Sequence, residues 1–359
     1  MGNMSISASI DPSTDLLIAE TSIMPGERVV ILNGTDPALE AVASKGAAEL
    51  VIFPVTASAA DGFRARATSK STVSLDVFPT EQAAFDVALL PIPKGREAAR
   101  GMLWAARLAL RPGGRLYVAG LNDGGIKTVM ADASVLFGTP RTLTTRRRCR
   151  VAVAINKTSS ASAPDVYPAE WGDNPTQMQT RQFGEVIICT VPGLFSWDTL
   201  DEGTALLLDN LSIAPGERVL DIGCGYGVIG LTAAARGADY VVLSDDSLLA
   251  AHCAYAGMQQ NGFANVEVTA GNLFGGLPDT MRGTFDHIVS NPPFHHGFET
   301  DTQVMRRLCS EAGDWLHKSG KLTVVGNTFL RYDRLLRESF GRVRTIVENT
   351  RYAVWEAGN

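Results

Sequence analysis

Residues 285–297 read FDHIVSNPPFHHG. The apolar run 288–290 reads as the end of a strand, and Asn291-Pro292-Pro293-Phe294 follow it at once. The two prolines stiffen the backbone and remove two N–H donors, so this segment offers carbonyl acceptors. The Asn291 side-chain oxygen and the Pro292 carbonyl form an acceptor pair suited to the two N–H groups of an exocyclic amine or a primary amide. Such a nitrogen is a poor nucleophile because its lone pair is delocalised. Held by both hydrogens, it turns that lone pair toward an electrophile, and such positioning is a large catalytic term. The same oxygens favour the cation that forms on the nitrogen. Phe294 offers a face for a planar target group. A rigid turn that caps a strand would use the same residues. His295 and His296 stand near as candidate bases and read equally as exposed loop residues.

The electrophile is read from a second loop. Residues 219–227 are VLDIGCGYG: a strand ending at Asp221, then Gly223, Cys224, Gly225 and Gly227 ahead of a helix. Glycines there allow a tight turn and close approach of backbone to ligand. The carboxyl edge of a doubly wound sheet is where ligands bind. Residues 225–230 also fit the GxGxxG dinucleotide fingerprint, with Asp245 as the acid that follows. The charge of Asp221 separates the two readings. A carboxylate repels a pyrophosphate, whereas S-adenosylmethionine (SAM) carries an ammonium and a sulfonium and no phosphate. The loop therefore reads as a SAM site, and the reaction as direct displacement from sulfonium to nitrogen, with no metal and no covalent intermediate.

Asp245 closes the second strand, where it can accept both ribose hydroxyls or cap the next helix. Asp246, counted with the cofactor residues, is the first choice for that cap, with Ser247 as its rival. Asn272 and Leu273 follow the third strand, at the place where a side chain reaches an adenine. Asn272 can accept from its amino group and donate to a ring nitrogen, and reads equally as a turn residue.

The elements that must position these residues occur twice. PGERV stands at 25–29 and again at 215–219. ELVIFP (49–54) parallels YVVLSD (240–245), FDVALLPIPKG parallels FDHIVSNPPFHHG, and PGGRLYVAG (112–120) parallels SGKLTVVGN (319–327). Order and spacing agree, which implies an internal duplication: two tandem α/β domains, 1–155 and 183–359. A stretch at 156–182, rich in Ser, Ala and Pro in its first half, is expected to link them. In the second copy, strands are expected at 218–221, 240–244, 266–270, 286–290 and 321–325. Helices are expected at 228–236, 248–260, 304–316 and 332–339. Short apolar strands alternating with helices imply a mostly parallel, doubly wound sheet.

Composition narrows the setting. The chain has 359 residues and a net charge of −6, so contact with nucleic acid must rest on a local patch. The five cysteines are scattered without a CxxC pair, which argues against a disulfide framework or zinc and for a reducing cytoplasm. No signal peptide and no apolar run of membrane-spanning length is evident.

Four segments, TVPGLFSWDTLDEGTALLL (190–208), VLDIGCGYG, SNPPFHHG and GKLTVVGNTFLRYDRLL, together resemble the bacterial two-domain rRNA guanine-N2-methyltransferases, and most closely the small-subunit (16S) branch. The likeness runs from about Gly184 to the end and more faintly over the first half. It implies a Rossmann-like class I methyltransferase fold with a final antiparallel strand from Val343 onward. It implies SAM as cofactor, a flipped-out guanine as target, and rRNA or a ribosomal subunit as partner; a monomer is expected, although the sequence does not fix the oligomeric state. It places Phe195 and residues 200–204, Thr204 among them, at the methionine end of SAM.

The first copy then reads as a degenerate twin. Ile31 stands near the position of Asp221, Pro54 near that of Asp245, and Pro91 at that of Asn291. Arg141, Arg146, Arg147, Arg148 and Arg150 cluster at its end, either as an RNA-positioning patch or as a solvated strand edge. Other acceptors for the same chemistry are a guanine of large-subunit rRNA, adenine N6 and a protein glutamine. A non-catalytic RNA-binding assembly factor is the reading of another class, and the intact Asp221, Asp245 and Asn291 speak against it.

Overall fold

The structure, a computed structural model, describes residues 11–157, 167–293 and 298–358. It divides into two units, Met1–Gln177 and Met178–Asn359. The first runs α1 (Pro12–Glu20), β1 (Arg28–Gly34), β2 (Glu49–Pro54), α2 (Ala57–Arg64), β3 (Ser71–Val73), β4 (Phe85–Pro91), α3 (Arg96–Ala109), β5 (Leu110–Leu121), α4 (Ile126–Phe137), β6 (Arg141–Arg146) and β7 (Cys149–Ile155). The second opens with a hairpin, β8 (Gln179–Phe183) and β9 (Val186–Thr190), followed by α5 (Glu202–Asn210). It continues with β10 (Arg218–Ile222), α6 (Val228–Ala235), β11 (Tyr240–Asp245), α7 (Leu248–Asn261), β12 (Val266–Ala270) and β13 (Phe285–Ser290). It ends with α8 (Phe298–Trp315), β14 (Leu316–Asn327), α9 (Tyr332–Ser339), β15 (Arg342–Glu348) and β16 (Tyr352–Gly358).

Each unit holds one seven-stranded sheet. The orders are β3-β2-β1-β4-β5-β7-β6 and β12-β11-β10-β13-β14-β16-β15, the same path traced twice. In the second sheet β12 to β14 run parallel, while β16 is antiparallel to both β14 and β15. Successive side chains of a strand leave opposite faces. Val219, Val241 and Val289 accordingly join one core, while their neighbours Leu220, Val242 and Ile288 join another. Both faces are covered, which is why the strands read as apolar runs.

Smaller features repeat too. The Arg28 N–H donates to Asp86 at 2.7 Å and the Arg218 N–H to Asp286 at 2.9 Å, so the shared Phe-Asp pair ties β4 to β1 and β13 to β10 alike. Glu27 meets Arg115 in one unit, and Glu217 meets Lys321 in the other. Asp11 caps α1 with Thr14, as Asp201 caps α5 with Thr204.

The structure amends three expectations. The stretch 156–182 is not linker throughout. Asn156 is buried and donates to the Leu110 carbonyl. Tyr167 sits edge-on to Trp104 and Trp171 in the first unit, and β8 pairs with β9 in the second. Helix α8 starts at Phe298, before the expected 304; the sequence of its first turns, FETDTQ, has no apolar period to announce it. The single last strand is a hairpin: Asn349 accepts from the N–H groups of Arg351 and Tyr352, which turns the chain back into β16.

Candidate active site

The loop between β10 and α6 takes its shape from glycines at positive φ: Gly223 at 69°, Gly225 at 57° and Gly227 at 87°. Only glycine adopts these angles without penalty. The N–H groups of Gly223 and Cys224 donate to the Ser244 carbonyl at 2.8 and 3.1 Å, and that of Gly227 to Cys224 at 2.8 Å. At Gly223 and Gly225 an added Cβ would meet no atom within 4 Å. The space in front of the loop is open.

Two carboxylates bracket it. Asp221 is fully buried; its Oδ2 accepts from the Gly230 N–H at 2.9 Å, and its Oδ1 is buried with no partner. Burial pushes this carboxyl up to about 7, the Gly230 N–H working against that and Asp245 adding to it. Asp245 accepts from the Gly225 N–H and the Ser247 N–H, each at 2.8 Å. Its carboxyl is also raised, by burial first, then by Asp246, against the two N–H donors. Two acids with ionised forms this poorly solvated, beside an open glycine loop, suit a positively charged ligand. The cap of α7 is Ser247, which accepts from the Ala250 N–H at 3.2 Å; Asp246 does not take that place.

Asn291 begins the segment after β13. Ser290 anchors that strand end by donating to the Ile222 carbonyl at 2.7 Å, which joins it to the glycine-loop strand. The Asn291 amide donates through Nδ2 to Asp201 Oδ2 at 3.1 Å and to Thr204 Oγ1 at 2.8 Å. Its Oδ1 has no partner among the described residues and can accept. Pro292 is buried and Pro293 exposed. Phe294, His295 and His296 lie outside the described residues.

The structure thus brings Asp221, Gly223, Cys224, Gly225, Gly227 and Asp245 into one loop system, and Thr204 against Asn291. Leu273, at φ 54°, joins the same edge, where its carbonyl accepts from Ser244 at 3.3 Å. Asn272 is exposed, with its Oδ1 accepting from Arg307 at 3.3 Å. Phe195 stands 47% exposed on the segment ahead of α5. Cys224 is buried, as are the other four cysteines, and all five are free thiols. Asp201 escaped the reading of the sequence, in which it was only part of the stretch 200–204. Its one local signal is the Asp-x-x-Thr spacing of a helix cap.

The same edge of the first unit is filled. Asn33, at φ 53°, stands where Gly223 does, and its Nδ2 donates to the Pro91 carbonyl at 2.8 Å. Phe63 occupies the position of Ala254, at the same distance from the helix cap. It is fully buried, and a Cβ on Gly34 would lie 3.0 Å from its ring.

Arg146, Arg147, Arg148 and Arg150 lie at the β6–β7 hairpin. Arg147 pairs with Asp15 and Arg148 with Asp123. Arg146 is exposed and makes no ion pair with a described residue, and the Nε of Arg150 is buried without a partner. Among the described residues no group of three or more His, Cys, Asp or Glu could hold a metal, and no helix is long and apolar enough to cross a membrane.

A doubly wound sheet with one antiparallel strand, β16, set between β14 and β15, a glycine loop after its central strand and an acid after the next defines the class: a Rossmann-like methyltransferase, present twice, once in degenerate form. Comparison with known proteins agrees. Residues 185–356 match the methyltransferase small domain, and residues 15–175 match the N-terminal methyltransferase small domain. Ribosomal RNA small subunit methyltransferase C of Pseudoalteromonas atlantica is 34% identical over 276 residues, 76% of this chain and 77% of that protein. The protein of the same name from Pseudomonas aeruginosa is 35% identical over 278 residues, 76% and 79% of the two chains. Among solved structures, the T. thermophilus 16S rRNA N2 methyltransferase for the guanine at position 1207, in complex with AdoMet and guanosine, superposes with a TM-score of 0.80. It is 27% identical to this chain, of which it covers 98%, with 93% of its own length matched. The chain belongs to the ribosomal RNA small subunit methyltransferase C family.

Proposed function

We propose that this chain methylates the exocyclic N2 of a guanine in small-subunit rRNA, the one equivalent to position 1207 in the T. thermophilus relative. The observation that carries the reading is the Asn291 amide, whose two N–H groups are both engaged so that Oδ1 is left to accept. SAM, when bound, supplies an electrophilic methyl group on a sulfonium. The residues present fit it: an open glycine loop and a buried carboxylate oxygen without a partner answer to a cationic nucleoside.

In this reading Asp221, Gly223, Cys224, Gly225 and Gly227 hold the cofactor at the loop. Asp245 and Asp246 face its ribose, Asn272 and Leu273 its adenine, and Phe195 and Thr204 its methionine end. Asn291 Oδ1 and the Pro292 carbonyl accept the two N2 hydrogens of the guanine and so set the direction of its lone pair. Pro293 keeps that backbone rigid, and Phe294 stacks on the base. The base is flipped out of its helix to reach them. Residues 183–359 carry the chemistry. Residues 1–155 position RNA, with Arg146, Arg147, Arg148 and Arg150 against phosphates. The chain acts as a monomer in the cytoplasm.

The test is transfer of labelled methyl from SAM to isolated small and large ribosomal subunits and to their naked RNAs, from a strain lacking this gene, with Asn291→Ala as control. Label recovered as N2-methylguanosine from small-subunit RNA, and lost in the variant, is the expected result. Label only in the large subunit, or in no RNA, overturns the assignment.

A further inference from the structure

One oxygen of Asp201 serves three donors. Its Oδ2 accepts from the Thr204 N–H at 2.8 Å, from the Thr204 hydroxyl at 3.2 Å and from Asn291 Nδ2 at 3.1 Å. The Thr204 hydroxyl in turn accepts the other hydrogen of Nδ2, at 2.8 Å. The three side chains form a closed triangle in which each donor has an acceptor.

Its chemistry admits one orientation of the amide. A carboxylate only accepts, so the amide face turned toward Asp201 must be its NH2. Half a turn about χ2 would set Oδ1 against the carboxylate, with two acceptors and no proton between them. The hydroxyl of Thr204, with a single hydrogen, cannot satisfy both.

A helix cap alone does not require this. Capping needs one acceptor for one N–H, and Ser or Asn serves as well as Asp. The first unit makes the distinction visible. Asp11 caps α1 through the N–H groups of Ser13 and Thr14, but Pro91 stands at the position of Asn291 and has no amide to orient. The start of α5 is itself held in place: the Tyr352 ring lies 3.0 Å from where a Cβ on Gly203 would stand, and Arg351 pairs with Glu202.

We propose that Asp201 is a positioning residue for methyl transfer: through the triangle with Thr204 it locks the Asn291 amide with Oδ1 presented to the target amine. The proposal rests on the reading above, in which Oδ1 of Asn291 accepts from that amine.

The test uses the full chain and two substitutions. Asp201→Ser keeps a cap for α5 but is too short to reach Asn291. Asp201→Asn keeps an acceptor oxygen for both. Single-turnover transfer to small-subunit RNA at saturating substrate is expected to fall about 10- to 100-fold in Asp201→Ser, the scale of a misplaced reacting group. It should stay within about threefold of wild type in Asp201→Asn, and because SAM and RNA are both saturating, the loss in Asp201→Ser is one of kcat. In an Asn291→Ala background, Asp201→Ser should cost nothing further in the residual rate, because its target is gone. Wild-type transfer by Asp201→Ser, or an equal loss with and without Asn291, overturns the proposal. Wild-type transfer by Asn291→Ala overturns the underlying reading of the site instead, and this proposal with it. If Asp201→Ser does not fold, Asp201→Thr supplies a cap of the same kind and the same comparison.

Discussion

The Gly230 N–H donates to Asp221 Oδ2 at 2.9 Å, so the end of the central strand and the first turn of the helix after the glycine loop are joined inside the protein, out of reach of water. The second oxygen of that carboxylate has nothing to accept from. An acid in this condition resists ionisation until a cation arrives.

Binding of SAM is therefore expected to depend on pH. The Asp221 carboxyl lies at about 7 in the folded chain, mainly through burial, against 3.8 for an ordinary aspartate. Below about pH 7 the group is protonated, and a cationic ligand must drive its proton off. Affinity should rise with pH, by up to about tenfold per unit, and level off above 7. Titration calorimetry at pH 6 should detect proton release. Asp221→Asn should bind more weakly and with a flatter profile, the raised Asp245 supplying what slope remains. Affinity that falls as pH rises would refute this. The sign for folding is opposite: the native state holds the proton more tightly than the unfolded chain, so this group's contribution to stability declines as pH climbs from about 4 to 7.

Gly230→Ala should destabilise the protein although it improves a helix. Alanine gains about 1 kcal/mol over glycine in helix propensity. Its Cβ, however, would stand 2.1 Å from Leu243 Cδ2 and 3.1 Å from Asp221 Cβ. Overpacking of this kind costs about 1–3 kcal/mol and would disturb the Asp221 bond as well. A lower melting temperature and weaker SAM binding are expected. An unchanged melting curve would mean that Leu243 moves aside freely.

The chain should bind one SAM, not two. In the first unit Asn33 is bonded to the Pro91 carbonyl and Phe63 fills the position held by Ala254 in the second. Phe63→Ala should cost about 3–5 kcal/mol of stability, as large-to-small core changes do. It should leave the stoichiometry of titration at one, because no acid stands at Ile31 or Pro54. A second equivalent bound to the wild-type chain would contradict the degenerate reading.

Arginines of the β6–β7 hairpin should contribute unequally to RNA binding. Arg147 and Arg148 are partly neutralised by Asp15 and Asp123, while Arg146 has no such neighbour among the described residues. Arg146→Ala should weaken binding and reduce the salt dependence of the association constant by about one unit of slope. Arg148→Ala should do less. Equal effects, or none, would remove the hairpin from the interface.

Much of the fold could be read in advance because its signals are local. The strand Val266–Ala270 and the helix Tyr332–Ser339 stand where apolar period and flanking residues put them. The repeated PGERV pointed to the duplication, and both sheets follow one strand order. What escaped the reading depends on contact across the chain. Asp201 and Asn291 are ninety residues apart and meet only because α5 lies beside the end of β13. The cap of α7 fell to Ser247 because Asp245 already takes the Ser247 N–H, which orients that turn. Trp171 and Tyr167 sit in a stretch whose composition suggests a tether, yet Tyr167 stands edge-on to Trp104 and Trp171 edge-on to Tyr167, which ties the stretch to the first unit.

The glycine loop of the second unit carries three residues in left-handed backbone, each of which forfeits the rigidity a side chain would lend. In its counterpart Asn33 is bonded to the Pro91 carbonyl and Phe63 is buried at the same edge. The two units thus follow one strand path, the second with a loop that leaves room for a ligand and the first with a packed edge in its place. Backbone freedom at those three glycines is the cost of a loop that leaves room for a ligand.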